Sequence, residues 1–426
     1  MAYRIHLLIF LAMIFSSHWA AAQYDVPLYA SYTTTAERAK LYNRLVHYSI
    51  ESGLSLALSD STEENWENAF YAIEFLLYQS PFTNAKVRLA FDSIETRSPD
   101  FQKSLLELGY SNYPFAFSRQ VTGLLKATTD PKVFALCAEY LCQQSSGGAV
   151  VDSITTLLAS KFGDQEALDP VLYMLQVHLF QKKDGPVFLP GQLLQSLLSP
   201  RFLPGQIVMY SLQRKNRDFP GIVLVRNREG HFIRDSDGMV FSVPQLARSI
   251  SNLPFYLRNG NTPQGIYAMH GFGVSMSNFI GPTANVQLSM PVESSPRDFA
   301  GDSSLSDSTW SLEDYKQFLP GELSNFLPLF YSYYAGLAGR REIIAHGTAI
   351  DPKIYVHQPY FPMTPSEGCL STKEFWNGKR TESDQQKLVN ALLQAGGAKG
   401  YCLVIELDDR QSAVTLKDVL PFIGDR

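Results

Sequence analysis

Ser366-Glu367-Gly368-Cys369-Leu370 sets a thiol directly after a glycine, and Ala345-His346-Gly347-Thr348 stands a short way upstream. Those are the parts a cysteine acyltransferase needs. A thiolate attacks a carbonyl, an imidazole carries its proton to the leaving group, and backbone N–H groups hold the oxyanion. Cys369 is the candidate nucleophile and His346 the candidate base. Gly368 has no side chain to keep a substrate off the backbone, so the Gly368 and Cys369 N–H groups are the candidate oxyanion donors. Ser366 can fix that turn through a side-chain–backbone hydrogen bond.

Other residues offer less. His270, in Met269-His270-Gly271-Phe272-Gly273, follows an expected strand and is either a cleft residue or a turn histidine. Gly271-x-Gly273 lacks the third glycine and the following helix of a dinucleotide loop. His270, His346, His357 and Cys369 contain no short ligand pair, so no metal is expected. Gly301-Asp302-Ser303 lies in a polar stretch, and no G-x-S-x-G elbow occurs. His47 and His178 sit among apolar neighbours and read as packed residues. Cys137 and Cys142 fall on different faces of an expected helix, where a bridge fits badly; their pairing stays open. Cys402 reads as a core strand residue.

The rest of the chain must position these groups. Met1-Ala2-Tyr3-Arg4, an apolar run and Ala20-Ala21-Ala22 form an export signal, with cleavage after Ala22. Residues 1–22 are therefore expected to be removed and the remainder exported to the periplasm or cell envelope. No later run is long and apolar enough to cross a membrane. A formal charge of −5 with scattered Lys and Arg argues against nucleic acid as a partner. Residues 23–185 read as an all-helical domain. Thr34 with Glu37 and Ser61 with Glu64 are capping boxes, and Ser98-Pro99, Asp130-Pro131 and Asp169-Pro170 are helix starts. Irregular helical repeats and a compact bundle both fit that spacing. Its expected role is positioning or contact with a protein partner.

Residues 186–204 read as a linker with one short helix over 192–198. Beyond it the chain turns to strands: 206–212, 221–225, 231–234, 265–269, 286–290 and 401–407, with a helix over 383–394. The fold class is thus a helical domain followed by a mostly β domain, 205–426, with flanking helices. Residues 294–340 interrupt the strand series. They are either a lid over the site or a helical layer on the sheet.

Ile344-Ala345-His346-Gly347-Thr348 with Ser366-Glu367-Gly368-Cys369-Leu370 resembles the catalytic signature of the L,D-transpeptidases of the YkuD type. Asn261-Thr262-Pro263-Gln264-Gly265 resembles that family's strand entry, and Met290-Pro291 its Met-Pro. The resemblance covers about residues 205–410. It implies an acyl-enzyme on Cys369, a His346 ring oriented by the Gly347 carbonyl, and a peptidoglycan stem tetrapeptide cut before its terminal D-Ala. Gly368, Thr348 and His270 are then expected on the oxyanion and substrate side. The acyl group passes to another stem's amine or to water, and no cofactor is required. Glu367 stands where the family usually has histidine, and Ser371 where it often has Arg or Asn. Those departures leave open a transpeptidase, an L,D-carboxypeptidase or endopeptidase, and a non-catalytic wall-binding scaffold.

Overall fold

The computed structural model describes residues 28–143, 148–163, 169–305 and 309–424. The expected leader, residues 1–22, lies outside them. Among the described residues no helix is long and apolar enough to cross a membrane.

The chain enters through α1 (Thr35–Asn43), capped by Thr34, whose side chain accepts the Glu37 N–H. It runs on as a π-helical stretch, Arg44–Ser52. Among the described residues the longer helices that follow are α2 (Glu63–Leu76), α3 (Pro81–Asp92), α4 (Pro99–Asn112), α5 (Ser118–Ala127), α6 (Pro131–Cys142), α7 (Gly148–Phe162) and α8 (Pro170–Asp184). The three proline starts are real. Ser98, Asp130 and Asp169 each accept N–H groups of the first turn, with proline at its head. Near α2 the capping pair is Ser59 with Thr62, not Ser61 with Glu64. Helices α2, α4, α6 and α8 pack side by side as one row. Helix α3 packs against α4 and α5, α5 against α6, and α7 against α6 and α8. His47 is mostly exposed and bonded to Glu51, so it is not a core residue.

The second region is built on an eight-stranded sheet. Its strands are β1 (Ile207–Arg214), β2 (Gly221–Arg226), β3 (Val243–Gln245), β4 (Gly265–Gly273), β5 (Asn285–Ser289), β6 (Ile344–Gly347), β7 (Leu370–Thr372) and, after the separate hairpin β8 (Glu374–Asn377)–β9 (Lys379–Ser383), β10 (Lys399–Asp408). The order is β3-β2-β1-β10-β4-β5-β6-β7. Pairs β1–β10 and β6–β7 are parallel; the others are antiparallel. Leu246, just past β3, exchanges both backbone hydrogen bonds with Ser371 of β7, so the two edges of the sheet meet. The expected strand at 231–234 is only a pair of isolated bridges.

Strand alternation sorts the side chains onto two faces. On one, Met209, Tyr267, Val286, Ala345, Leu370 and Val404 close over α13 (Asp384–Gln394; α10 to α12 follow below). On the other, Tyr210, Ile266, Ala268 and Leu403 pack against residues 294–340. That segment holds α10 (Pro296–Ala300), α11 (Leu312–Lys316) and α12 (Tyr331–Leu337). Phe299, Trp310, Tyr315 and Phe330 are buried in it, so it is a helical layer on the sheet and not a lid. Its ends meet where the Glu342 N–H donates to Glu293 Oε1 at 2.7 Å. The 186–204 stretch is also packed: α9 (Gly191–Leu198) buries Leu194, Leu197 and Leu198 against the same face.

The helical region is joined to the sheet region through a shared core. Leu253, Tyr256, Leu257 and Tyr355 belong to the hydrophobic cluster of the helices. Polar contacts come from the α2-α4-α6-α8 row. Tyr355 Oη donates to Phe75 O, Asn259 Nδ2 to Glu107 Oε2, Tyr256 Oη to Glu139 Oε1, and Gln181 Nε2 to Tyr331 Oη.

Candidate active site

Parallel pairing of β6 with β7 brings the two phrases together. Ala345 lies opposite Leu370 and His346 opposite Ser371. Ala345 and Leu370 point into the core with α13, so alternation turns His346 to the opposite face. Cys369 immediately precedes β7, and its thiol sits against β6: the Ile344 N–H donates to Cys369 Sγ, and Sγ donates to Glu342 O, both at 3.5 Å.

His346 is held from behind. Its Nδ1 lies 2.8 Å from Gly347 O, which also accepts the Gly281 N–H at 2.8 Å. With Nδ1 donating, Nε2 carries the lone pair. A Cβ on Gly347 would fall 2.1 Å from Glu374 Oε2, so only glycine fits against that buried carboxyl. Gln385 from α13 donates to Ala345 O and accepts from Thr372, buttressing both strands.

The cysteine turn is equally constrained. Gly368 has φ +111, and a Cβ there would meet Arg340 Nη2 at 2.1 Å and Gly260 O at 2.5 Å. Ser366 Oγ donates to Cys369 O at 2.9 Å and accepts the Gly368 N–H at 3.3 Å. That second bond corrects one expectation. The Gly368 N–H is turned back onto Ser366, leaving the Cys369 N–H and the neighbouring Arg340 guanidinium as the groups able to meet an oxyanion.

The electrostatics also differ from an ion pair at rest. Burial lowers His346 to about 4, against a rise from its bond to Gly347. Burial raises the Cys369 thiol to about 11, while the Ile344 N–H and the Arg340 charge pull it down. The resting pair is therefore a thiol and a neutral imidazole. No hydrogen bond joins the two side chains. A neutral thiol would lose its proton in step with any attack on a carbonyl.

Two expected residues lie elsewhere. Thr348 is buried, with its hydroxyl against Thr364 Oγ1 at 2.5 Å. His270 sits exposed on β4, bonded to Ser289 across on β5, two strands from β6. His178 bonds to the buried Glu139 in the helical region. All four cysteines are free, with Cys137, Cys142 and Cys402 buried. Among the described residues no group of His, Cys, Asp or Glu is arranged to hold a metal ion.

Two neighbours escaped the motif-based reading. Thr262 Oγ1 donates to Gly368 O at 2.8 Å, so the Thr-Pro-x-Gly segment clamps the cysteine turn directly. Its place inside a quoted motif was the available signal. Arg340 is buried; Nη1 donates to Phe255 O at 2.6 Å and Asn261 O at 2.8 Å, and Nη2 reaches Glu367 O at 3.5 Å. Burial lowers it to about 10, so it stays a cation at neutral pH. Nothing in its local sequence marked it, because it lies at the end of an apparently unrelated helical stretch.

A cavity of about 320 Å³ opens beside Cys369, lined by Arg340 and Glu367 and, from the helical region, by Lys103, Lys132 and Leu136. A larger one of about 960 Å³, between α9 and residues 317–322, lies away from this chemistry. No protein-family model, curated protein or solved structure matches the chain.

Proposed function

We propose that this protein is an exported cysteine acyltransferase of the L,D-transpeptidase type, acting on peptidoglycan stem peptides in the periplasm or cell envelope. The observation that carries this reading is the β6–β7 juxtaposition. It lays the strand that carries His346 against the strand that Cys369 precedes, with the imidazole oriented by the Gly347 carbonyl and the thiol within electrostatic reach of the Arg340 cation. The signature resemblance suggests the substrate class, and the roles proposed below follow from that resemblance together with the geometry.

Cys369 Sγ attacks the amide carbonyl between the diamino acid and the terminal D-Ala, and its proton moves to His346 Nε2. The Cys369 N–H and Arg340 stabilise the oxyanion. Collapse breaks the C–N bond, and His346 returns the proton to the departing D-Ala amine. An amine of a second stem then attacks the thioester and gives its proton to His346. The sulfur leaves and is reprotonated, and an amide cross-link results. Water in place of the amine gives the trimmed stem of a carboxypeptidase.

Incubation with purified tetrapeptide muropeptides, followed by chromatography and mass spectrometry, tests the proposal. Transpeptidation predicts a dimer lacking one D-Ala, absent with Cys369→Ala. Tripeptide monomers alone would assign the hydrolase. Unchanged muropeptides, with the thiol verified as reduced, would leave the wall-binding scaffold.

A further inference from the structure

The helical region does not stand apart from the chemistry. The cavity beside Cys369 has two walls, one from the sheet region and one from the ends of α4 and α6. Its charge is lopsided. Lys103, Lys132, Arg258, Arg340 and Arg341 line it, against Glu342 and Glu367. Some of that charge is already met: Lys103 pairs with Asp100 at 2.7 Å, and Arg258 lies 3.9 Å from Glu107. Lys132, Arg340 and Arg341 have no carboxylate within salt-bridge distance among the described residues. Arg340 is a nine-tenths buried guanidinium bonded only to carbonyl oxygens. Glu293 acts electrostatically on both Arg340 and Arg341 and offsets part of that charge, and a ligand carboxylate would offset more of it. Lys132 stands in the first turn of α6 and reaches across the gap, its Nζ 3.9 Å from where a Cβ on Gly339 would lie. From α2, Tyr71 lies within electrostatic reach of the Glu367 carboxylate in the cysteine turn.

We propose that this two-walled cavity is a carboxylate-binding subsite, in which Lys132 of the helical region and Arg341 of the sheet region hold free carboxylates of the peptide whose carbonyl meets Cys369. The inference rests on the acyl-transfer reading and deepens it. It makes the substrate a peptide carrying at least two free carboxylates, and it makes the helical region part of the binding site. Two cations on opposite walls fix the peptide's direction across the thiol, which is how charged groups set register at an interface.

The test separates binding from turnover. The full chain with Cys369→Ala is titrated with a stem tetrapeptide bearing free carboxylates and with the same peptide amidated. The same titrations are run with Lys132→Ala or Arg341→Ala added, and with Lys126→Ala, on the helical surface outside the cavity, as control. The expected result is about five- to tenfold weaker binding of the free-carboxylate peptide for each cavity variant. Lys126→Ala leaves it unchanged, amidated peptide binds weakly throughout, and raising salt weakens the wild-type interaction. Equal binding of both peptides, or no effect of either cavity variant, overturns the subsite. Carboxylate-dependent binding in a protein that never acylates would uphold the subsite and sink the acyl-transfer reading instead. Normal acylation by amidated peptide with unchanged KM would do the reverse.

Discussion

Gly368 bears the tightest constraint at the scale of single residues. Its positive φ and the two close approaches leave no room for a methyl group. Gly368→Ala should cut turnover by more than about 100-fold by displacing Arg340 or Cys369, given how steeply misplacement costs rate; steady-state kinetics on folded variant would show it. Cys369 itself should be a sluggish thiol in the free protein. With the thiol raised to about 11, only about one molecule in ten thousand is thiolate at pH 7. Alkylation by iodoacetamide should therefore rise close to tenfold per pH unit from 7 to 10. A plateau near pH 7 would contradict a neutral resting pair. Cys369, His346 and Ser366 were legible in the sequence because motif chemistry is local. Arg340 was not, because its meaning comes from Phe255, Asn261 and Glu367, which chain folding brings to it.

Among the elements, β6 and β7 decide whether there is a site at all. Both are short, four and three residues, and neither declares itself by alternation. Their register is fixed instead by buried bonds from outside: Gln385 of α13, Leu246 beyond β3, and Thr262 before β4. This is why the long strands and α13 were readable from residue pattern, while β6 and β7 were not read as strands and only their residues were singled out, by motif. Thr262→Val keeps shape but removes the clamp on Gly368 O. It should lower stability by about 1 kcal/mol, with a larger fractional loss in kcat than in KM. Chemical denaturation and kinetics on the same preparation check both. Loss of stability with kcat intact would mean that the clamp serves folding alone. The 294–340 segment was open to two readings because an aromatic helical run covers a sheet or a site equally well by composition. Its Phe299, Trp310 and Tyr315 settle against the sheet.

Across the whole molecule, the helical region holds a buried carboxyl pair where it meets the sheet region near the cysteine turn. Glu74 of α2 and Glu107 of α4 are both raised, mainly by burial; Glu107 adds to the rise at Glu74, and Glu367 to the rise at both. The folded state then holds protons that the unfolded chain releases above the ordinary carboxyl value. The stability of the neutral pair is fully present below that value and is lost as pH rises through the raised ones. Thermal unfolding should therefore fall from pH 5.5 to 8.5, and Glu107→Gln, which keeps the bond from Asn259, should flatten the fall. An unchanged slope would place the pH dependence elsewhere. The shared core further predicts that residues 205–424 expressed alone unfold at lower temperature and self-associate, since Leu253, Tyr256 and Tyr355 would lose their cover. Two domains were expected from length and texture; their fusion through one helix row depends on side-chain contacts that sequence texture does not carry.

Under the proposed function, Cys369 forms a thioester with a peptide acyl group while His346 moves the proton. Intact-protein mass spectrometry of the full chain, mixed with stem tetrapeptide and separately with a carbapenem, tests it most directly. The wild-type protein should gain a mass equal to the tetrapeptide less D-Ala, and separately an intact carbapenem adduct. Both should be lost with Cys369→Ala and slowed by His346→Gln. No adduct on a reduced wild-type thiol, or an adduct that persists in Cys369→Ala, would contradict it.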